Sequence, residues 1–264
     1  MKIVFLDEYS VCGQDVSRIK YMGEYIGYET TEPHEVLERV SDAEVIITNK
    51  VVLDAQTIAQ LPHLKLICVA ATGMNNVDLA AAAEHGVLVR NAIGYSTDSV
   101  AEATIGSALA LMREVTFYND FFHAGYYSAS KRIFNFDRPT AQIGGKRWGI
   151  IGMGNIGRRV AKLAEAFGCE VSYYSTSCIA RDESYNSVSL NELLTESDIV
   201  SIHCPLNEKT LDLISEEQFS MMKRSAILIN VARGGIINET ALADALNNGV
   251  IRGAALDVFS SEPL

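Results

Sequence analysis

Short apolar runs alternate along this chain with longer segments in which apolar residues recur at every third or fourth position. The apolar runs lie at residues 3–6, 45–48, 66–70, 87–89, 146–151, 170–174, 198–203, 226–231 and 251–258. Strands that are buried on both faces of a parallel sheet show such continuous runs, and the segments between them show the helical period. The pattern therefore predicts repeated βαβ units, that is, an α/β fold built on parallel sheets.

Capping signals predict where several helices begin and end. A helix over residues 76–85 is expected to end at Gly86, because glycine readily adopts the left-handed conformation that follows a helix. Ser99 and Glu102 form a capping box, which predicts the start of a long helix. Further helix starts are predicted by Ser189 with Glu192, by Ser215 with Gln218, and by Asn238 before a helix over residues 239–246.

The polar, turn-rich segment at residues 91–98 indicates a domain boundary, since 264 residues are more than one typical domain needs. We expect domains at residues 1–97 and 98–264. The long helix predicted to begin at Ser99 carries more apolar residues than a single buried face requires. Its apolar surface is either deeply buried or part of a subunit interface, and we favour the interface. Residues 128–142 are expected to form a polar loop.

A Gly-x-Gly-x-x-Gly motif formed by Gly152, Gly154 and Gly157 lies between a predicted strand and a predicted helix. Gly152 permits a tight turn, Gly154 lets backbone N–H groups approach a pyrophosphate, and Gly157 lets the helix pack closely on the strand. The positive end of the helix dipole would then face the phosphates. The alternative is a glycine-rich turn that binds nothing, but the flanking strand and helix favour a dinucleotide site.

The strand that follows the glycine helix ends without the carboxylate that selects the ribose of NAD. Ser175, Thr176 and Ser177 stand there instead. Hydroxyl groups can bind either a ribose or its 2′-phosphate, so both NAD and NADP are expected cofactors. Arg181 and Lys162 are too distant in sequence to decide between them. In the alternative interpretation, the serines only cap a turn.

Ionised side chains follow the last two predicted strands. Arg233 comes after a strand and before Gly234 and Gly235, and the next strand is followed by Asp257 and Glu262. Because the carboxyl ends of parallel strands face the ligand, Arg233 is placed to bind a carboxylate in a bidentate manner. A surface arginine and a helix-capping acid are the alternatives. Several ionised groups at one sheet edge favour a functional site.

The net charge of −11 limits the classes of partner that the protein can bind, and the scattered cysteines indicate its redox compartment. Nucleic acid and anionic membranes would repel a surface of this charge, although the net charge does not address a local basic patch. Five cysteines without a CxxC pair predict reduced thiols and no metal site: Cys12, Cys68, Cys169, Cys178 and Cys204. Neither a membrane-spanning apolar run nor a signal peptide is recognisable, and we expect a cytoplasmic protein.

Several motifs, taken in order, resemble those of the D-isomer-specific 2-hydroxyacid dehydrogenase family, particularly glycerate, hydroxypyruvate and glyoxylate reductases. Besides the glycine motif, they are residues 71–78, residues 95–102, residues 203–206 with Thr210, residues 230–235, and residues 255–259 with Glu262 and Pro263. The resemblance covers nearly the whole chain. It implies two Rossmann-like domains, a flavodoxin-like substrate domain and an NAD(P)-binding domain with a doubly wound parallel sheet. It also suggests a homodimer formed through residues 99–118.

The implied activity is hydride transfer between NAD(P)H and a small 2-keto acid or D-2-hydroxy acid of the glycerate, glyoxylate or lactate type. By resemblance, Arg233 binds the substrate carboxylate and polarises the keto oxygen. Glu262 hydrogen-bonds the family's catalytic histidine and raises its pKa, and Asp257 lies near the nicotinamide carboxamide. Cofactor contacts are implied for Gly152, Gly154, Asn155, Ile156, Gly157, Ser175, Pro205, Val231, Ala232, Arg233 and Asp257. Substrate contacts are implied for the backbone of Thr72, Gly73 and Met74, with Lys50 at the rim.

The family's catalytic histidine lies shortly beyond the position of Glu262, and the five histidines of this chain lie elsewhere in the pattern. His203, which precedes Pro205, matches a residue of the cofactor-side wall. The chain is interpreted as part of a longer enzyme, as an inactive truncation, or as a non-catalytic NAD(H)-binding relative such as a sensor or corepressor. We favour the first, because Arg233, Asp257 and Glu262 are all present, and it predicts an intact mass above 28.8 kDa for the source protein.

Overall fold

Two parallel sheets, one in each part of the chain, form the architecture of the computed structural model. The structure describes residues 1–11, 13–177, 179 and 184–262. The chain divides into two units, residues 1–96 and 97–264. Some residues considered from the sequence lie outside the described part: Cys12, Cys178, Arg181 and Pro263.

The sheet of the first unit has five parallel strands in the order β2-β1-β3-β4-β5. The strands are β1 (Lys2–Phe5), β2 (Glu24–Gly27), β3 (Val45–Thr48), β4 (Leu66–Val69) and β5 (Leu88–Asn91). Helices α1 (Ser17–Lys20), α2 (Val36–Val40), α3 (Ala55–Ala59) and α4 (Leu79–Glu84) connect them, with short 3-10 turns at Glu8–Val11 and Pro33–Glu35. This is the flavodoxin-like strand order, in which ligands bind at the switch point between the first and third strands.

The sheet of the second unit has six parallel strands in the order β11-β10-β9-β6-β7-β8. They are β6 (Arg147–Ile151), β7 (Glu170–Tyr174), β8 (Asn186–Ser187), β9 (Ile199–Ile202), β10 (Ile227–Asn230) and β11 (Gly253–Leu256). The helices are α5 (Thr97–Arg113), α6 (Val115–His123), α7 (Tyr126–Ala129), α8 (Asn155–Ala166), α9 (Leu190–Glu196), α10 (Glu216–Met221) and α11 (Glu239–Asn247). Read from β8, this is the order 3-2-1-4-5-6 of dinucleotide-binding sheets, whose switch point lies between β6 and β9.

The central strands are continuously apolar because both of their faces are covered. Every residue of β3, β9 and β10 is buried. In the second unit, one face of the sheet packs with residues of α5 and α8, and the other with residues of α9, α10 and α11. On the first of these faces, the indole Nε1 of Trp148 donates a 2.8 Å hydrogen bond to the hydroxyl of Ser201, which satisfies both buried polar groups.

Three helix starts agree with the capping signals, and two do not. The side chains of Ser189 and Asn238 accept backbone N–H groups of α9 and α11, and the Gln218 side chain accepts from the Ser215 N–H before α10. Helix α4 begins at Leu79 and not at residue 76, because Val77 forms a parallel bridge with Leu53 and Asp78 caps the helix instead. Helix α5 begins at Thr97, so the predicted capping box Ser99–Glu102 lies inside it and does not start it.

Helix α5, the long apolar helix, ends before residue 118, the end of the segment that the resemblance implies for dimerisation. The apolar side of α5 faces inward. Its buried residues pack in the core of the second unit, among them Ala101, Ile105, Ala108 and Met112. The helix ends at Arg113, and Glu114, with a left-handed φ of 53°, separates it from α6.

Exposed apolar side chains lie instead on α6, on α7 and in the loop that follows: Val115, Phe122, Tyr126, Tyr127, Ile133, Phe134 and Phe136. The loop predicted to be polar is therefore partly aromatic. Within the described part of the chain, none of the helices has the length and apolar character needed to cross a membrane.

Candidate active site

The glycine turn after β6 lies at the switch point of the second sheet. Gly152 has a φ of +98°, and a Cβ atom there would lie 2.7 Å from the backbone nitrogen of Cys204. A Cβ at Gly157 would lie 2.2 Å from the carbonyl oxygen of Gly152. Only glycine fits at either position. The backbone after β9 lies against Gly152, and the backbone of Gly152 lies against Gly157 in α8.

Gly154 differs from the other two glycines because it faces open space. It is the residue before the first turn of α8, and an added Cβ would meet no atom within 4 Å. Asn155 is exposed and Ile156 is half-buried at the start of this helix of 12 residues. The unpaired N–H groups of a helix N-terminus attract phosphate. The turn therefore combines a rigid support with free room where a pyrophosphate binds in such sheets.

The end of β7 carries hydroxyl groups at the position that reads the ribose in dinucleotide-binding sheets. Ser175 is half-buried, and its hydroxyl lies 3.1 Å from that of Ser177. Both hydroxyls remain able to bind a further group, since each oxygen can donate once and accept twice.

The loop after β9 is held by a buried threonine. The hydroxyl of Thr210 donates to the carbonyl of Pro205 at 2.7 Å and accepts from the N–H of Asn207 at 2.8 Å. The Thr210 side chain is fully buried. It therefore fixes the backbone around Pro205, one of the residues implied to contact the cofactor.

The segment that carries Arg233 is fixed from two sides. The buried side chain of Asn230 accepts the N–H of Ala232 at 3.0 Å and donates to the carbonyl of Arg233 at 2.9 Å. A Cβ at Gly234 would lie 1.9 Å from the carbonyl oxygen of Phe259, so this backbone is in contact with the segment after β11. Among the residues that the structure describes, the Arg233 guanidinium donates only to the neighbouring carbonyl of Ala232, at 2.6 Å. Most of its five N–H groups are therefore available to a ligand.

Asp257 and Glu262 follow β11 on the segment that contacts Gly234. Asp257 is exposed, and its N–H donates to the carbonyl of Asn230 at 3.0 Å, which continues the pairing of β10 with β11. The Glu262 carboxylate accepts the N–H of Phe259 at 2.9 Å and so closes the turn. The strand ends thus bring Arg233 and Asp257 to one edge of the sheet.

In the first unit, the two loops predicted to bind substrate are joined by Asn76. Its side chain donates to the carbonyl of Val51 at 3.0 Å, and its carbonyl accepts the N–H of Leu53 at 2.7 Å. Thr72 accepts a hydrogen bond from Asn91 at its carbonyl, 2.6 Å away. The loop of Lys50 and the loop at residues 72–74 therefore form one connected rim at the ends of β3 and β4.

Asp7 holds the start of the Lys50 loop. The carboxylate, which is 2% exposed, accepts the N–H of Asn49 at 2.9 Å and that of Lys50 at 2.7 Å. A cavity of about 460 Å³ opens beside it at the switch point of the first sheet, with Lys50, Thr31 and Thr57 in its lining. The Lys50 ammonium has no partner among the described residues, so it is available to an anionic or hydroxyl-bearing ligand.

Comparison with known proteins identifies the family. Residues 105–264 match the family model described as "D-isomer specific 2-hydroxyacid dehydrogenase, NAD binding domain". The glycerate dehydrogenase of Methylorubrum extorquens is 43% identical over 263 residues, which are 99% of this chain and 82% of that protein. The chain belongs to this family. As a dehydrogenase of the family, it transfers a hydride between a nicotinamide dinucleotide and a 2-hydroxy or 2-keto acid.

Two solved structures extend the likeness to the fold. The D-lactate dehydrogenase of Aquifex aeolicus, solved with NAD and lactic acid, is 30% identical with a TM-score of 0.84, covering 98% of this chain and 78% of that one. An acyclic imino acid reductase, solved with NADPH and D-Arg, is 27% identical with a TM-score of 0.88, covering 99% and 84%. The α/β fold with parallel sheets and the nicotinamide cofactor expected from the sequence are thereby confirmed.

Four residues that hold this dehydrogenase's site in place were given no role in the site by the sequence, although three of them lie in the motifs that resemble the family. They are Asp7, Asn76, Thr210 and Asn230, whose side chains bond the loops after β3, β9 and β10. Asp7 and Asn230 stand at strand ends, where polar residues are candidates for function. Their strand-end positions were therefore a usable signal, whereas the backbone groups they bind could not be read from the sequence.

Proposed function

We propose that this dehydrogenase reduces a small 2-keto acid of the hydroxypyruvate or glyoxylate type to the corresponding 2-hydroxy acid. The observation that carries the proposal is the arginine segment after β10, which Asn230 and Gly234 hold in one conformation while the Arg233 guanidinium keeps most of its donors free. A planar guanidinium matches the two oxygens of a carboxylate. The likeness to a glycerate dehydrogenase supports the substrate class.

In this proposal, the domain of residues 1–97 contributes groups that bind the substrate, and the domain of residues 98–264 binds the dinucleotide and also contributes Arg233 and Glu262. Arg233 binds the substrate carboxylate and polarises the keto oxygen. The backbone N–H groups at residues 72–74 also bind the carboxylate, and Lys50 lies at the rim. The bound nicotinamide supplies the hydride. Glu262 orients the family's catalytic histidine, which moves the proton. Asp257 binds the carboxamide of the nicotinamide. The dinucleotide is held by Gly152, Gly154, Asn155, Ile156, Gly157, Ser175, Pro205, Val231 and Ala232.

Both NADH and NADPH are proposed as coenzymes. No carboxylate is found at residues 175–177, directly after β7, to repel a 2′-phosphate, and the hydroxyls of Ser175 and Ser177 can bind a ribose or its phosphate. Of the two structural relatives, one was solved with NAD and the other with NADPH, so the fold accommodates either coenzyme.

A homodimer formed through α6, α7 and the following loop is proposed as the functional assembly. Phe134 and Phe136 are 70% and 84% exposed, and aromatic residues exposed as a group are typical of interfaces. Static light scattering should give twice the mass of one subunit, and Phe136→Asp should shift the protein toward the monomer. A monomeric wild type would refute the proposal.

The cytoplasmic location expected from the sequence stays a prediction.

The activity is tested with the full-length protein and a panel of 2-keto acids. Hydroxypyruvate, glyoxylate and pyruvate are each supplied with NADH and with NADPH, and coenzyme oxidation is followed over a range of substrate concentrations below and above KM. We expect the highest kcat/KM with hydroxypyruvate or glyoxylate. Tight NADH binding without turnover of any acid in the panel would instead support a non-catalytic NAD(H)-binding relative.

A further inference from the structure

Residues 115–138 form one segment, the aromatic arm, which lies between two buried parts of the second unit. It contains α6, α7 and the loop after them, and the chain on either side of it reaches the core at Met112 and Ile143. All residues of the arm are described, and none of them is buried. Because no covered apolar face attaches the arm, its direction depends on how its two ends are held.

Contacts within the arm hold its parts together. The ring centroids of Phe121 and Tyr126 are 5.7 Å apart, and those of Phe122 and Tyr127 are 4.8 Å apart. The hydroxyl of Tyr118 donates to the carbonyl of Arg138 at 2.7 Å, which joins α6 to the end of the loop. The arm therefore keeps a shape of its own, and the remaining question is what fixes it to the unit.

One guanidinium holds both ends of the arm. The Nη2 group of Arg252, directly before β11, donates to the carbonyl of Pro139 at 2.8 Å and to the carboxylate of Glu114 at 3.1 Å. The carbonyls of Leu111 and Met112, near the end of α5, lie 3.5 and 3.4 Å from the same nitrogen. A positive charge is favourable at the C-terminus of a helix. The side chains of Arg252 and Glu114 are 20% and 18% exposed, so solvent screens the pair only weakly.

Glu114 stands where the backbone favours glycine. Its φ of 53° lies in the left-handed region, which is costly for a residue with a Cβ atom. A glycine would make the bend between α5 and α6 without this cost. The glutamate instead supplies a carboxylate to Arg252, and its other oxygen lies 3.9 Å from the guanidinium of Arg138. The bend and both ends of the arm thus meet in one group of charges.

We propose that Arg252 is a positioning residue, which fixes the direction of the aromatic arm and so prepares its exposed aromatic side chains for a second copy of this chain. The proposal rests on the homodimer proposed above and names the side chain that controls it. A loose segment loses conformational entropy when a partner orders it, and a segment that is already held loses less. Arg252 is mostly buried at the base of the arm, so its effect on association is exerted through the arm.

The dissociation constant of the dimer measures this effect. Sedimentation equilibrium of the full-length protein compares wild type, Arg252→Ala, Arg252→Lys and the control Arg224→Ala, which removes an exposed arginine of the same unit. We expect Arg252→Ala to raise the Kd about tenfold or more, and Arg252→Lys to raise it less, since a lysine keeps the charge without the planar fork. Arg224→Ala should match wild type. A Kd within about twofold of wild type in Arg252→Ala would overturn the proposal.

Hydrogen exchange followed by mass spectrometry separates the arm from the rest of the unit. Wild type and Arg252→Ala are compared as they are and in the Phe136→Asp background, where the arm is expected to lack its partner. We expect the amides of residues 115–138 to exchange at least about fivefold faster in Arg252→Ala, with those of β10 unchanged. Unchanged exchange in the arm would overturn the proposal. Equal acceleration in β10 would also overturn it, because Arg252 would then stabilise the whole unit.

The two readouts distinguish failure of this proposal from failure of the homodimer. A monomeric wild type would refute the homodimer and with it the partner named here, whereas exchange in the arm would still decide whether Arg252 fixes its direction. Glu114→Gln breaks the same ion pair from the side of the arm, and it serves as the second variant if Arg252→Ala does not fold. Arm exchange in Glu114→Gln should be faster than in wild type, and equal exchange would overturn the proposal.

Discussion

The carboxylate of Asp7 accepts the backbone N–H of Lys50 at 2.7 Å, which ties the end of β1 to the loop after β3. Asp7 also accepts the N–H of Asn49, and the side chain is almost completely buried. A buried carboxylate is stable only when such donors surround it. The buried Asp7 side chain thus fixes the loop that carries Lys50.

Replacing Asp7 should therefore weaken both the fold and the loop. Asp7→Asn turns one acceptor oxygen into an NH₂ group that faces N–H donors, and we expect a loss of about 2 kcal/mol in the free energy of unfolding. Urea unfolding measures the loss. Glu38→Gln on α2, an exposed side chain with no partner among the described residues, is the control and should change little. A loss as small as that of the control would show that the Asp7 hydrogen bonds contribute nothing net.

Two glycine-to-alanine variants of the second unit should have opposite effects. Gly234→Ala places a Cβ 1.9 Å from the carbonyl of Phe259, so the backbone must move, and we expect a loss of roughly 1–3 kcal/mol. Gly106→Ala lies within α5, where a Cβ meets no atom within 4 Å. There alanine should stabilise by roughly 0.5–1 kcal/mol, because it favours the helix. Thermal unfolding of both variants checks the pair, and a stabilising Gly234→Ala would contradict the close approach.

The strands that could be predicted were those with a continuous apolar run, including β5 and β11 at sheet edges. Residues 45–48 and 226–231 were predicted as strands, and β3 and β10 are buried throughout. Strands β2 and β8 were not predicted, because their exposed and half-buried residues give no apolar run. The start of α4 was misplaced because the bridge between Leu53 and Val77 is a tertiary contact.

The residues of the site also divide into those marked by a local sequence pattern and those whose role depends on contacts formed in the fold. Arg233 could be singled out because it follows a buried strand and precedes two glycines, a local pattern. Asn230 precedes it by three residues, but its role depends on accepting the N–H of Ala232 and donating to the carbonyl of Arg233. Such bonds depend on side-chain direction, which the one-dimensional pattern does not contain.

Arg233→Ala should separate substrate binding from cofactor binding. Loss of the guanidinium removes the proposed partner of the substrate carboxylate, and we expect kcat/KM for the preferred 2-keto acid to fall by at least about 10³. The NADH dissociation constant should stay within about threefold. Arg233→Lys should recover only a small part of the activity, since a lysine is a point charge without the planar fork. If NADH binding fell as far as activity in the alanine variant, Arg233 would be holding the fold or the cofactor instead.

Ser175→Asp should change the coenzyme preference. A carboxylate at the end of β7 repels a 2′-phosphate and accepts hydrogen bonds from a ribose. We expect kcat/KM with NADPH to fall by about 10- to 100-fold, and kcat/KM with NADH to change by less than about threefold. Ser175→Ala is the matched control and should affect the two coenzymes similarly. Equal losses with both coenzymes in Ser175→Asp would mean that Ser175 does not lie near the 2′ position.

The stability of the protein should depend on pH through His203. Burial lowers the pKa of the folded-state imidazole to about 3, below its ordinary value near 6.5. Between these values the unfolded chain binds one more proton than the folded chain, so stability rises with pH and is lost as pH falls below about 6.5. The contribution to the slope is at most about 1.4 kcal/mol per pH unit.

His203→Asn removes this titration and should flatten the dependence of the unfolding free energy on pH between about 4.5 and 6. Urea unfolding at several pH values in this range measures the slope in the variant and in wild type. His85→Asn, which replaces an exposed histidine of the first unit, is the matched control. Equal slopes in His203→Asn and wild type would show that folding does not lower the pKa of the imidazole.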